Sequence, residues 1–466
     1  MIKIVVLVYI SVMLIYQSHA QCWNQVSAGI FHTAAIKSDG TLWACGSNDY
    51  GQLGIGSNQS SLVPIQIGTD NNWKHVSMGR RHCIALKNDG TLWTWGANYW
   101  GQVGDGTTVQ KNLPGQIGPN KVWTKVSAGS DHNIALAADS TIWAWGDNNW
   151  AQLALPVGQF GVAFKSEMVK IGIQNDWIDI LAGGDSNFGL KVDKTLWGWG
   201  HNETGHLGIG PINQNTFYRG SPTKVLNSQP WKKLSTSGGH TAGIDFEGKL
   251  WLWGSNTKGQ IGDGTTIQIN IPTLIENNAE WIDVSCGGRH TLAIRSDNSL
   301  WAWGLNQSGQ LGDGTTEDKS FISLLDSTKN WIKVSSENLQ SFAIDEDGRL
   351  YAWGNNESGQ LGTNDLLDRK SPTEILCPTS SLYDNSSRVE FEIIPNPSYN
   401  GISFSADGNS LIGMDFEIIS LSGNIVLSGK IYKNDEIYSI SNLASGIYVA
   451  FLKSDKHISS KKFIKL

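Results

Sequence analysis

The sequence predicts an all-β protein: a seven-bladed β-propeller followed by a small C-terminal antiparallel β-sandwich. Three observations carry that expectation. Tryptophan recurs at Trp23, Trp73, Trp123, Trp177, Trp231, Trp281 and Trp331, at spacings of 50 or 54. Between these positions lie short runs that alternate apolar and polar residues, bounded by Gly, Asn and Asp. After Cys377 the repeat stops, and a different set of short alternating runs takes over.

Composition is consistent with a large, turn-rich globular chain. Its 466 residues exceed one ordinary domain, Gly (53) and Trp (21) are in excess, and charged residues make up only 17%. Many aromatics and little charge exclude a disordered chain. A net charge of −7 gives no basic footprint for nucleic acid.

In chain order, residues 1–20 read as a secretory signal. Lys3 is the positive start, residues 4–16 are apolar, and Ser18-His19-Ala20 is a small-x-small cleavage site. The apolar run is shorter than the roughly 20 residues of a membrane span, which disfavours the rival reading as an uncleaved anchor. The mature chain then begins at Gln21 without a transmembrane segment, in a compartment where cysteines can pair.

Residues 21–378 hold the repeats. Twenty residues after each leading Trp stands Trp43, Trp93, Trp143, Trp197, Trp251 or Trp301, with Tyr351 in the seventh unit. Two further on stands Trp95, Trp145, Trp199, Trp253, Trp303 or Trp353, with Cys45 in the first. These columns hold all but two of the 21 tryptophans, leaving only Trp100 and Trp150 outside. In unit six, VSCG, HTLAI and SLWAWG read as three strands. A fourth is expected to open at the proline found at 64, 114, 222, 272 or 372, where an edge position needs no ladder donor. Four strands in each of seven units fit a propeller.

The motif Asp-Gly-x-Leu-Trp-x-Trp-Gly-x-Asn-x-x-Gly-Gln-Leu/Val-Gly, preceded by a His strand start, occurs at residues 79–104 and closely at 287–312. In this the chain resembles the regulator of chromosome condensation repeat family over about residues 22–376. That resemblance implies a seven-bladed ring. It does not by itself imply the guanine-nucleotide exchange of nuclear members. Kelch propellers share the period but use another internal pattern.

Burying an indole removes about 150–250 Å² from water, so the Trp columns are expected to form blade-to-blade core. His32, His82, His132, His240 and His290 form a further column, replaced by Ser186 and Gln340 in two units. Without a carboxylate or second His at ligand spacing, no metal is expected; a bond to backbone at a strand start fits better. Asp105-Gly106, Asp263-Gly264 and Asp313-Gly314 lack the alternating oxygen donors of a calcium loop and read as tight turns. Cys22 and Cys377 flank the array, and in a closed ring they share one inter-strand loop, so a disulfide between them is expected. The same register leads us to expect a shared last blade, with residues 23–38 beside 349–376. Cys45, Cys83 and Cys286 read as buried thiols.

Residues 379–388 read as a polar linker and 389–466 as the sandwich, of about seven strands. Pro395-Asn396-Pro397, the Gly446-Ile447-Tyr448 strand and the basic-apolar end at 461–466 resemble the C-terminal sorting domain of the type IX secretion system. This resemblance implies passage across a Gram-negative outer membrane to the medium or the outer cell surface, handled by that machinery. The competing reading is an ordinary binding sandwich.

No nucleophile elbow, zinc helix, phosphate loop or Cys-x-x-Cys occurs, and no carboxylate pair stands out; neither catalysis nor a cofactor is expected. The departures from the repeat say more. Tyr50, Trp100 and Trp150 occupy one equivalent turn in units one to three, with Tyr99 beside Trp100, whereas the other units carry Thr204, Lys258, Ser308 and Ser358. Units three and four also carry longer loops, 154–166 and 209–220, with Phe160, Phe164, Phe217 and Tyr218. Aromatics and loops on a rigid scaffold favour recognition of an extracellular protein or glycan. Alternatives are inhibition of an extracellular or periplasmic enzyme, as in exported relatives that cap β-lactamases, and a glycan-active enzyme or lectin.

Overall fold

The computed structural model describes residues 22–157, 161–213, 215–276, 278–378, 391–405, 411–420, 425–433, 436–453 and 458–466. The signal expected at 1–20, Phe160 and the linker expected at 379–388 lie outside these residues. The regular elements are all strands, and the chain divides into two compact units between Pro378 and Thr379.

The first unit is a ring of seven four-stranded meanders. In blade one, β1 (Trp23–Ala28), β2 (His32–Lys37), β3 (Leu42–Gly46) and β4 (Ser61–Gln66) pair in sequence order, all antiparallel. Blade seven repeats the pattern with Trp331–Glu337, Gln340–Asp345, Leu350–Gly354 and Arg369–Ile375. First strands of successive blades touch one another and lie innermost, whereas fourth strands form the part-exposed outer edge. The second strand of blade one is buried along its whole length, because blades cover it on both faces.

The expected shared blade does not form. Each unit begins on its innermost strand and carries all four of its own, so no strand remains to complete a neighbour's sheet. Blades one and seven instead meet side to side. Trp23 N–H donates to Gly348 O at 2.9 Å, Thr33 Oγ1 to Gln360 O at 2.8 Å, and the Cys22–Cys377 disulfide ties the two ends. The prolines also differ from expectation. Pro64 lies within β4, where the register slips between Ala44 and Gly46; this bulge on an edge strand leaves the proline with no ladder bond to make.

The tryptophan columns divide by depth. The leading Trp and the third-column Trp are buried in every unit that has them. The second column is only half-buried from Trp93 to Trp301, its rings meeting the leading indoles edge-on at about 6.0 Å in blades two and six. Cations cover the exposed side: Lys87 Nζ lies 3.9 Å from the Trp93 ring centroid and the Arg295 guanidinium 3.7 Å from that of Trp301.

The histidine column joins blades rather than bonding backbone at its own strand start. Nε2 of His82 and His132 lies 3.0 and 2.8 Å from Asn133 and Asn187 Oδ1; Nε2 of His240 and His290 lies 2.9 Å from Thr291 and Ser341 Oγ, each on the next blade. Those next-blade side chains donate in turn to the carbonyls of Gln102, Gln152, Gln260 and Gln310. The hydroxyl proton is thereby committed, so the imidazole must donate through Nε2. Burial favours the neutral ring, holding His32, His240 and His290 down to about 3 and His132 to about 4. The same glutamine carbonyls accept the indole N–H of the next blade's Trp145, Trp199, Trp303 and Trp353. A polar relay therefore runs through the apolar core at these blade boundaries.

The second unit is a β-sandwich. Glu392–Ile394, Gly401–Ser405 and Tyr438–Ser439 form one antiparallel sheet; Ile425–Lys430, Asp415–Ser420, Gly446–Lys453 and Ile458–Lys465 form the other. Ile402, Phe404, Phe416, Ile418, Tyr448 and Phe463 fill its core.

Candidate functional site

The turn between third and fourth strands is built on a fully buried Asn in every blade. In blade two, Asn98 is fully buried; its Oδ1 accepts Val103 N–H at 2.8 Å and its Nδ2 donates to the carbonyls of Thr107 and Val109 at 3.0 Å. Gln102 Oε1 accepts the N–H of Trp100 at 2.8 Å. Gly101 has φ +70°, and a Cβ there would meet Ser166 Cα of the next blade at 2.4 Å, so only glycine fits. The residue between Asn and Gly that precedes this glycine is thus held on a rigid frame with its side chain outward. It is Tyr50, Trp100 and Trp150 in blades one to three; in blade three Ala151, at φ 63°, stands in the glycine's place.

These turns share one end of the ring with the loops joining first and second strands. In every blade the third strand's end donates to that inner loop, as Ser47 N–H to Phe31 O, Ala97 to Arg81, Asp147 to Asp131 and His201 to Asp185, at 2.8–3.0 Å. The face therefore has an inner circle of short loops and an outer circle of turns.

Several of the sequence-selected aromatics are brought into ring contacts with neighbours. Tyr50 and Tyr99 meet edge-on at 5.6 Å, with the Arg81 guanidinium 4.9 Å from the Tyr50 ring and 5.4 Å from Phe31. Trp100 meets Phe164 at 6.2 Å, and Trp150 meets His201 at 4.5 Å. Tyr99 is 58% exposed, Trp100 and Trp150 each 40%; half of each indole is anchored and half faces solvent. Phe164 and Tyr218 open the fourth strands of blades three and four, paired with Asp147 and His201, so they belong to the frame and do not project beyond it. Phe217 and Tyr218 are part-exposed.

Between the aromatics lies a set of charges that the aromatic pattern did not point to. Asp131 takes Arg80 at 3.5 Å and the Gln102 amide at 3.4 Å. Asp147, buried, accepts Gln152 Nε2 at 2.8 Å. Burial, with neighbouring carboxylates, lifts Asp147 and Asp185 to about 6. His206 replaces the column glutamine in blade four, its Nδ1 2.8 Å from Thr204 Oγ1, and its ring follows His201 at 5.9 Å. The signal was available as the eighth residue after each leading Trp, which runs Phe31, Arg81, Asp131, Asp185, Gly239, Arg289, Leu339. Single apolar side chains are also exposed on blades five to seven, Ile267, Phe321 and Leu367 among them, without the mutual ring contacts of the first three blades.

Comparison with known proteins adds the following. The model for the regulator of chromosome condensation (RCC1) repeat matches residues 39–86, 89–136, 193–244, 247–294, 297–344 and 347–389, more than half of the chain. A second model of that description matches 23–52, 73–102, 231–260 and 281–310; both pass over 137–192. A secretion system C-terminal sorting domain matches 392–466. Among curated proteins the chain is similar to the probable E3 ubiquitin-protein ligase HERC4 of Rattus norvegicus, 28% identical over 115 residues, 23% of this chain and 11% of that one. It is also similar to the ultraviolet-B receptor UVR8 of Arabidopsis thaliana, 31% identical over 101 residues, 21% of this chain and 22% of that one. The chain thus spans between about a tenth and about a fifth of these relatives' lengths. Among solved structures, human WBSCR16 superposes with a TM-score of 0.65 at 18% identity, covering 73% of this chain and 94% of that one. Yeast RCC1 (Prp20), from its complex with Kap60, gives 0.62 at 17%, covering 81% and 88%. At such identities the likeness is one of fold.

Proposed function

The chain belongs to the regulator of chromosome condensation repeat family, and on that premise we propose that it is an exported, non-catalytic recognition scaffold binding an extracellular protein or glycan through blades one to four. One observation carries this reading: half-exposed aromatics anchored at equivalent turns of consecutive blades, joined by part-exposed Phe217 and Tyr218, on a face whose remaining turns carry Thr204, Lys258, Ser308 and Ser358. Aromatics fixed by packing lose little conformational freedom on binding, which suits them as anchors. The charges around Asp131, Asp147, Asp185, Arg80 and Arg81 would add orientation to that contact. The sorting domain supports export by the type IX machinery of a Gram-negative bacterium, to the medium or the outer surface. The test is the Trp100→Ala, Trp150→Ala double variant. It should keep the melting temperature within about 2 °C, since both indoles are only half-buried, yet lose the partner retained from culture medium or a glycan array. Unchanged retention would refute the proposal.

A further inference from the structure

Along the inner strands, a second column joins the blades. Ser27, Ser77, Ser127, Ser235, Ser285 and Ser335 each stand four residues after a leading Trp. Each Oγ accepts a backbone N–H from the next blade's first strand: Met78, Ala128, Ala182, Cys286, Ser336 and Ala28 respectively, at 2.8–3.3 Å. Blade four has Leu181 in that place. The same blade has Ser186 in the histidine column, and its hydroxyl donates to Gly183 O of its own blade at 2.9 Å. Both columns break at one junction, between blades four and five.

That junction is a wedge. At the aromatic end Gly184 and Gly238 meet backbone to backbone, and a Cβ on Gly184 would lie 2.5 Å from Gly238 Cα. At the other end the blades part around a cleft of about 280 Å³, walled by Leu181, Phe188, Leu190, Trp231 and Leu234. Lys125, Asp179, Lys232 and Lys233 border the opening. Lys125 pairs with Asp179 at 2.6 Å and Lys233 with Asp283 at 2.5 Å, so both carboxylates are engaged. Lys232 makes no ion pair among the described residues.

We propose that this cleft binds a small free amphiphile with an apolar body and a carboxylate head. Its walls are apolar, the uncompensated charge at its mouth is an ammonium, and its volume is that of ~9 water molecules at about 30 Å³ each, enough for a chain of about eight carbons. A cationic head would meet three lysines with no free carboxylate. The site lies at the opposite end of the strands from the aromatic turns and does not depend on the recognition reading.

Octanoate, octanol and octylamine, titrated into the full chain by calorimetry, test it. One saturable octanoate per chain is expected, with octanol several-fold weaker and octylamine silent. Leu181→Ser restores the serine column and draws the blades together, so octanoate affinity should fall about tenfold. If that variant does not fold, Lys232→Gln, on the surface, should weaken octanoate about threefold and leave octanol unchanged. No saturable octanoate binding, equal binding of all three heads, or full affinity in the folded variants would overturn the proposal.

Discussion

Replacing Cys22 and Cys377 by serine opens the covalent ring while leaving its other closures in place. The disulfide spans 355 residues, and the chain-entropy relation for a loop of that length gives a ceiling of about 6 kcal/mol of lost stability. Native contacts between blades one and seven persist in the variant, among them Ala28 N–H to Ser335 Oγ at 3.3 Å and Thr33 to Gln360 O at 2.8 Å. The loss therefore arises mainly because the unfolded chain is freed. Unfolding entropy of about 2.1 cal/mol/K per residue across the loop is roughly 0.75 kcal/mol/K, so ~6 kcal/mol corresponds to a melting point lower by about 8 °C. Measured disulfide effects fall below the entropic ceiling, which puts the expected drop at about 3–8 °C by calorimetry. A drop below about 1 °C would refute the reasoning, because it would mean that the unfolded chain is confined just as well without the bond.

Three further outcomes follow from the relay and the turns. His32, His132, His240 and His290 have folded values lowered to about 3–4, so the unfolded state binds more protons below its own value near 6.5; the stability they give is complete above that pH and is lost as pH falls through it. At pH 5 each of the four costs about 2 kcal/mol; Glu337, raised by burial to about 8, and Asp147 and Asp185, raised to about 6, act in the opposite sense. His206, lowered by burial to about 3, and His75, lowered to about 4, add to the loss, so the urea midpoint should fall between pH 7 and pH 5; an unchanged or higher midpoint would contradict this. Asn98→Ala leaves Val103 N–H and two turn carbonyls without their partner and should cost about 2–4 kcal/mol in denaturant unfolding. Cys45, Cys83 and Cys286 are buried, with Cys45 and Cys286 pushed up to about 12, so a thiol reagent should label none of the three until the chain is unfolded.

The ring was legible because burying an indole needs two blades, and the tryptophan columns therefore mark every blade boundary. What crosses a boundary was harder to read. The histidine partners Asn133, Asn187, Thr291 and Ser341 lie one repeat away and differ in type, so no local pattern joins them, although a polar residue or Cys follows the histidine position in all seven units. The shared-blade expectation failed because the cysteine register locates the closing loop but is silent on which sheet each strand joins. The aromatic turns stood out as departures from a strict repeat. Asp131 and Asp185 did not, because their column varies from unit to unit, and only the hydrogen bonds from Asp147 and His201 bring it beside the turns. Leu181 among six serines was visible in the sequence, but its consequence needed the geometry of the next blade.

The most direct measurement is hydroxyl-radical footprinting of the propeller alone and with its captured partner. Oxidation of Tyr99, Trp100 and Trp150 should fall severalfold in the complex while Ile267, Phe321 and Leu367 on blades five to seven react as before. Protection of those three, with Trp100 and Trp150 unchanged, would contradict the account.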